Sequence, residues 1–276
     1  MHVAVEVHSL ASGSSGNAIL VRDDSAAVLI DAGIGIRRLT AALHSVNTDP
    51  ADLSAILISH EHADHTTGAV RTANKYRVPL VANARTLDAV QGAGSVPTRV
   101  MDAGEELIFG DLSVRSFAIS HDAACPVGYT VHGNGATVTS ATDTGVLSPE
   151  IRAEAACADL LIIESNHDEE MLVRGPYPSY LKRRIASERG HLSNDTAAGL
   201  IIDLAEAGKC VSVWLAHLSQ VNNTPAIALA TVQHMLWTHS GAPMDIAVAQ
   251  RDQPSLHWVQ TRNRYQLSLF TGENSG

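Results

Sequence analysis

Cysteine is scarce in this chain of 276 residues: only Cys125, Cys157 and Cys210, odd in number and scattered. Such a set fits neither a disulfide framework nor a CxxC metal site, and reads as reduced core thiols. No uninterrupted apolar stretch approaches the ~20 residues of a membrane span, and the N-terminus has no basic segment followed by an apolar one. A soluble, cytoplasmic protein without membrane contact is expected. Basic residues are also short, 19 against 29 acidic for a net charge of −10. Non-specific coating of a nucleic acid, which needs many Lys and Arg contacts to phosphate, is therefore excluded, while a local basic groove is not. Internal repeats, low-complexity linkers and composition breaks are absent as well. With 45% hydrophobic residues, that points to one domain over residues 1–266 and a loose tail, Leu267–Gly276.

Short β-branched runs open the chain at Val3–Val7, Ala18–Val21 and Ala27–Ile30, separated by the polar loop Ser12–Asn17 and by Asp23-Asp24. They predict a strand meander. Ala55–Ile58 reads as a strand that runs into a polar loop and then a helix over Gly68–Tyr76. Further strands are expected at Val78–Ala82, Glu106–Phe109, Ser113–Ile119, Gly128–Val131, Ala136–Ser140, Asp159–Ile163 and Val211–Ala216, with His132-Gly133-Asn134-Gly135 as a hairpin turn. Helices are expected around Ala84–Val90, over Asp195–Ala207 with Gly208 as its stop, and from Thr224-Pro225 to just before Gly241. Two halves, each β then α, suggest a pseudo-symmetric layered sandwich.

What the chain does have is histidine, 14 of them. Ser59-His60-Glu61-His62-Ala63-Asp64-His65 is an HxHxDH string at the end of an apolar strand. In extended chain, residues i and i+2 project to one side, so His60 and His62 can bind one metal together. Asp64 and His65, at the turn into the helix, project elsewhere and can serve a second. Downstream, His121, Asp143 and His217 each follow an apolar strand, at the end that faces the crevice in layered α/β folds.

This arrangement resembles the metallo-β-lactamase superfamily of αββα hydrolases, over nearly the whole chain. The resemblance implies an α/β fold of four layers, αββα. It also implies two divalent metal ions, with His60, His62 and His121 on one, Asp64, His65 and His217 on the other, and Asp143 bridging. Within the superfamily, Leu10–Asn17, Ser120-His121-Asp122-Ala123, Glu164–Asp168, Gly190–Asn194 and His217–Asn223 look like the YycJ (WalJ) subgroup, described as 5′ to 3′ DNA exonucleases. His8 and Val221 depart from that pattern, at positions expected to be apolar and acidic.

The chemistry follows from the residues too. Five imidazoles and two carboxylates without a thiolate suit Zn²⁺ or Mn²⁺ and favour hydrolysis over electron transfer. Two such ions would hold a hydroxide as nucleophile against a phosphoryl or acyl centre. A phosphodiesterase acting on single-stranded or nicked DNA is the leading reading. The alternative is a hydrolase of a small phosphodiester, a thioester or a lactone with the same metal site. An acidic chain of this kind could also be recruited by a DNA-repair or replication protein.

Catalytic roles are expected for Asp64, Asp143 and His191. His191 lies just ahead of a helix N-terminus, where it could orient the scissile phosphate or protonate the leaving 3′-oxygen; a hydrogen-bonded turn beside the helix cap Ser193 or Asn194 is the plainer possibility. Arg174–Arg189 holds five of the 19 basic residues and two of the five tyrosines. That stretch reads either as a platform for unpaired bases, through Tyr177, Lys182, Arg183 and Arg184, or as a solvated helix. Ser14, Ser15 and Asn17 could cradle a phosphate, as could Ser193 and Asn194. Asp31 is expected to hydrogen-bond a metal ligand. His167 reads as well as a turn residue as a catalytic one. His2, His8, His44, His132, His234, His239 and His257 show no partner spacing.

Overall fold

The computed structural model describes residues 4–241 and 243–260. Glu6–Ala11 (β1), Ala18–Arg22 (β2) and Ala27–Ile30 (β3) pair antiparallel, and Ala55–Leu57 (β4), Leu80–Ala82 (β5) and Thr98–Val100 (β6) then add in parallel. A second sheet repeats the plan. Glu106–Phe109 (β7), Leu112–Ala118 (β8), Val127–Gly133 (β9) and Ala136–Ala141 (β10) are antiparallel, and Leu160–Glu164 (β11), Ser212–Ala216 (β12) and Ile246–Val248 (β13) follow in parallel. Leu256–Val259 (β14) crosses back to pair with β1, so each sheet has seven strands.

Parallel neighbours need crossover helices, and those helices form the outer layers. Ile36–Ser45 (α1) buries Leu39, Ala42 and Leu43, one face at helical spacing, and with Ala69–Tyr76 (α3) covers the first sheet. Ala63–Thr66 (α2) and Ala84–Ala89 (α4) are short connectors. Over the second sheet lie Pro149–Cys157 (α5), Asn194–Glu206 (α8) and Pro225–His239 (α9), while Glu169–Arg174 (α6) and Ser179–Ile185 (α7) lie between β11 and α8 in the chain. Val7, Val21, Val28, Tyr129, Val138 and Ile162 fill the space between the sheets. The four-layer αββα architecture is therefore present, and the proposed tail lies outside the described residues.

Local expectations and structure differ at several points. The first strand runs from Glu6 to Ala11, further along than Val3–Val7, because His8 and Ser9 are drawn into the sheet between β2 and β14. At positions 134 and 135 the hairpin residues take positive φ, as its turn requires. Helices α1, α5 and α6 were not foreseen, and neither were the strands β6, β13 and β14; these strands are short and lie at or next to sheet edges. No helix among the described residues is long and apolar enough to cross a membrane.

Two histidines without sequence partners turn out to be paired. His8 stacks on His257 across the β1/β14 seam, ring centroids 4.3 Å apart and planes within 5°. Burial, with His257 and Arg22 alongside, pushes His8 down to about 4. A base whose folded pKa lies below its unfolded value binds fewer protons when folded, so stability is complete above the unfolded pKa and falls as pH drops towards 4. Between pH 7.5 and 5 the loss through His8 should be roughly 2 kcal/mol at 1.36 kcal/mol per pH unit. Thermal unfolding of the wild type and His8→Leu at both pH values checks this: the variant should lose less stability than the wild type by that amount.

Candidate active site

The ends of six strands meet at one rim of the sandwich. Asp31 follows β3, the Ser59–His65 loop follows β4, His121 follows β8, Asp143 follows β10, Glu164 closes β11 and His217 follows β12. Three of these, Asp31, Asp143 and His217, hold left-handed backbone at φ 60°, 57° and 55°. Such conformations cost about 1–3 kcal/mol each and persist where surrounding structure overdetermines them. Here strand ends and hydrogen bonds do so: Asp31 N–H donates to the Leu57 carbonyl and His217 N–H to Ser12 Oγ. Gly33 lets the backbone pass so close to the Asp64 carbonyl that any Cβ would collide with it.

Ligand atoms of His60, His62 and His121 lie within 4.8 Å of one another, and those of Asp64, His65, Asp143 and His217 form a second such group. Asp143 stands between the groups, with Oδ2 3.1 Å from His65 Nε2 and Oδ1 3.7 Å from His121 Nε2. The sequence therefore picked out seven residues that the fold does bring together.

Outer partners fix how these rings face the centre. His65 Nδ1 donates to Asp31 Oδ2 (2.7 Å), His217 Nδ1 to Glu164 Oε1 (2.7 Å) and His121 Nδ1 to the Gly190 carbonyl (3.1 Å). Ser59 Oγ joins Asp31 to His60 Nδ1 (3.0 Å). Every one of these rings thus keeps Nε2 as the atom left for the centre, the arrangement that metal-binding histidines use. His60 Nε2 and Asp143 Oδ2 are buried without a hydrogen-bond partner. Orphaned polar atoms of this kind are costly unless a further group satisfies them, and a divalent cation fits this donor set.

The charges agree. Burial lowers His65 and His217, but Asp31 and Asp143 outweigh it at His65, and Asp143, Asp64 and Glu164 push His217 up to about 10. Burial raises Asp143, but His217 and His65 hold it well below the usual carboxylate range. The pocket demands positive charge at its centre. His60 and His121, by contrast, are kept neutral chiefly by burial, as lone-pair donors must be.

One residue in this network went unassigned in the sequence. Glu164 is fully buried, and Oε1 accepts from His217 Nδ1 and from His191 Nδ1 (2.8 Å) while Oε2 accepts from the backbone N–H of Thr144 and Leu192. Its signal was a carboxylate ending the unbroken apolar strand Leu160–Ile163, since a buried charge must have partners. Burial raises Glu164, but His191 and then His217 hold it at about 2. Glu61 braces the other side, accepting from Ala124 N–H in the loop that carries His121.

Several expected substrate contacts are otherwise engaged. Asn194 is fully buried: Oδ1 accepts from Ser165 Oγ and Asn223 Nδ2, so it packs α8 onto the core and meets no cleft. Ser193 caps α8, its Oγ accepting from Thr196 N–H. Asn17 is buried and braces its own loop, accepting from Gly13 N–H and reaching the Asp64 carbonyl and His65 Nε2. Lys182 Nζ donates to the Val173 carbonyl and ties α7 to α6. Arg174 pairs with Glu170, and Arg184 with Asp122. Two of the five basic residues of this stretch are thus ion-paired within the protein. Arg183 and Ser15 are exposed.

A cleft of about 180 Å³ remains beside the centre, lined by Ser14, Asp122, Tyr177, Leu181, Arg184 and His191 among others. Gly190 makes the approach of α7 possible, since a Cβ there would strike the carbonyls of Arg184 and Ile185. Tyr177, Arg184 and Ser14 therefore do reach a common space, and Lys182 and Arg183 do not.

Fold and site together define a metal-dependent hydrolase of the αββα class. Residues 26–213 match the family model described as the beta-lactamase superfamily domain. The chain is 38% identical to Exodeoxyribonuclease YycJ of Bacillus anthracis over 231 residues, 82% of this chain and 87% of that one. It is equally 38% identical to Exodeoxyribonuclease WalJ of Streptococcus pneumoniae over 246 residues, 87% and 89% of the two chains. The crystal structure of the metallo-beta-lactamase fold protein YhfI from Bacillus subtilis superimposes with a TM-score of 0.68 at 16% identity, covering 92% of this chain and 99% of that one, and shares its fold. The chain belongs to the metallo-β-lactamase superfamily and, within it, to the YycJ/WalJ family.

Proposed function

We propose that this enzyme is a 5′ to 3′ DNA exonuclease that works on single-stranded or nicked substrates with two divalent ions, Zn²⁺ or Mn²⁺. His60, His62 and His121 would hold one ion, Asp64, His65 and His217 the other, and Asp143 both. When bound, the ions supply a water of lowered pKa and neutralise charge building on the phosphoryl oxygens. The observation that carries the reading is the narrow cleft beside this cluster, roofed by α7. A cleft of about 180 Å³ takes part of a nucleotide, such as its base, at a strand end. The similarity to two proteins named exodeoxyribonucleases supports DNA as the polymer.

The chain's own groups have distinct tasks. Asp143 and Glu164 set the ligand geometry. Tyr177, with Leu181 and Ile185, offers an aromatic and apolar wall against which a base stacks. His191 is bound through Nδ1 to Glu164, which leaves Nε2 as the atom that can give a proton to the departing 3′-oxygen. Burial lowers its basicity, but Glu164 and then Asp143 outweigh that and keep the ring protonated more readily than a free imidazole.

Two outcomes are expected. A linear single strand is shortened in the presence of Mn²⁺, whereas a covalently closed circular strand of the same sequence survives; cutting of the circle would overturn the exonuclease reading. Tyr177→Ala should raise the KM for the linear strand by roughly tenfold, the scale of one lost base-stacking contact, with a smaller change in kcat. Steady-state kinetics on an oligonucleotide series checks the split.

A further inference from the structure

A second cavity opens on the other side of His191. It encloses about 300 Å³ and is lined by His167, Glu169, Leu172, Val173, Ala186, Ser193 and Thr196, with Gly145 and Leu192, and His191 belongs to this wall and to that of the first cleft. Leu172 and Val173 come from α6, Ala186 from the end of α7, and Ser193 and Thr196 from the start of α8. His167 is 3% exposed, and its Nδ1 has no hydrogen-bond partner. Glu169 Oε1 accepts from Ser193 Oγ, so Oε2 remains available.

The chemistry of this cavity is unlike that of a phosphate site. Its lining contains no lysine or arginine. Asp195, close by, has its carboxyl raised by burial and then by the negative charges of Glu169 and Asp168. An anion entering here meets carboxylates. A flat, neutral group with N–H donors on its edge meets apolar walls and a carboxylate acceptor, with the buried imidazole of His167 behind them. We propose that this cavity is a nucleobase subsite, holding the base next to the scissile phosphate while its sugar-phosphate stays outside near His191. The inference rests on the nuclease reading above. The free carboxylate oxygen of Glu169 favours bases with exocyclic amino donors, guanine, cytosine and adenine, over thymine.

The experiment is an abasic scan. Oligonucleotides carrying one abasic residue at each of the first four positions from the 5′ end are degraded by the wild type, by Val173→Trp, which sets a bulky ring at the cavity's exposed rim, and by Glu169→Gln. In the wild type, bond cleavage should slow by roughly tenfold when the missing base is the one that occupies the cavity, the scale of one lost base contact. With Val173→Trp that penalty should shrink towards onefold at that position alone, and with Glu169→Gln the preference for guanine over thymine there should flatten. Penalties that persist unchanged in both variants overturn the subsite while intact DNA is still degraded. Failure of the wild type to degrade any DNA overturns the nuclease reading, and the subsite with it.

Discussion

Asp143→Asn should abolish DNA degradation and lower the bound metal, with the fold intact. Asparagine is the sharpest choice because position 143 is left-handed, a conformation asparagine tolerates better than alanine. Shape and backbone then survive while the negative charge goes. Asp143 faces both ligand groups, at 3.1 Å from His65 and 3.7 Å from His121, and is 2% exposed, so bulk water does not reach its place between them. The loss should exceed the ~100-fold upper range seen when only an outer partner of a ligand is removed. Metal content per chain, circular dichroism and the rate of strand shortening check the three parts. A variant that retains full metal and activity would remove Asp143 from the centre.

Glu164→Gln is the second large effect. Its carboxylate accepts from two imidazoles and two backbone N–H groups, and an amide has one acceptor oxygen and a donor that must face one of those donors. His217 loses its orientation and His191 loses the charge that sustains its proton. Each outer partner of a metal ligand is worth about 10–100-fold in affinity or activity, and kcat should fall through that range or beyond it because His191 is affected as well. A competitive chelator titration should show weaker metal binding, and the alkaline limb of the kcat profile should move to lower pH as His191 becomes easier to deprotonate. A variant with weak metal binding but an unshifted pH profile would confine Glu164 to holding His217.

Much of the site could be read in advance because the fold concentrates chemistry at strand ends. An apolar run that stops at His or Asp marks both the strand and the rim it reaches, which is why His121, Asp143 and His217 were found singly, far apart in the chain. Asp31 was legible in the same way, and it does hydrogen-bond His65. Glu164 escaped because it ends a strand without looking like a ligand, and its importance comes from donors contributed by residues 144, 191, 192 and 217. Asn194 misled for the opposite reason. A polar residue at a helix start reads as exposed, but α8 begins beneath the β11 loop, where Ser165 and Asn223 take up its amide. The basic stretch before α8 showed its charge in the sequence, and only the structure shows that Asp122 and Glu170 pair with two of its five cations and that the Val173 carbonyl holds Lys182.

The most direct test of the whole account is degradation of a 3′-labelled, 5′-phosphorylated single-stranded DNA with Mn²⁺ or Zn²⁺ supplied. The account expects stepwise shortening from the 5′ end, releasing mononucleotides, and no shortening with Asp143→Asn. Intact DNA in the presence of metal-loaded wild type would contradict it and turn the same centre towards small phosphodiesters or thioesters.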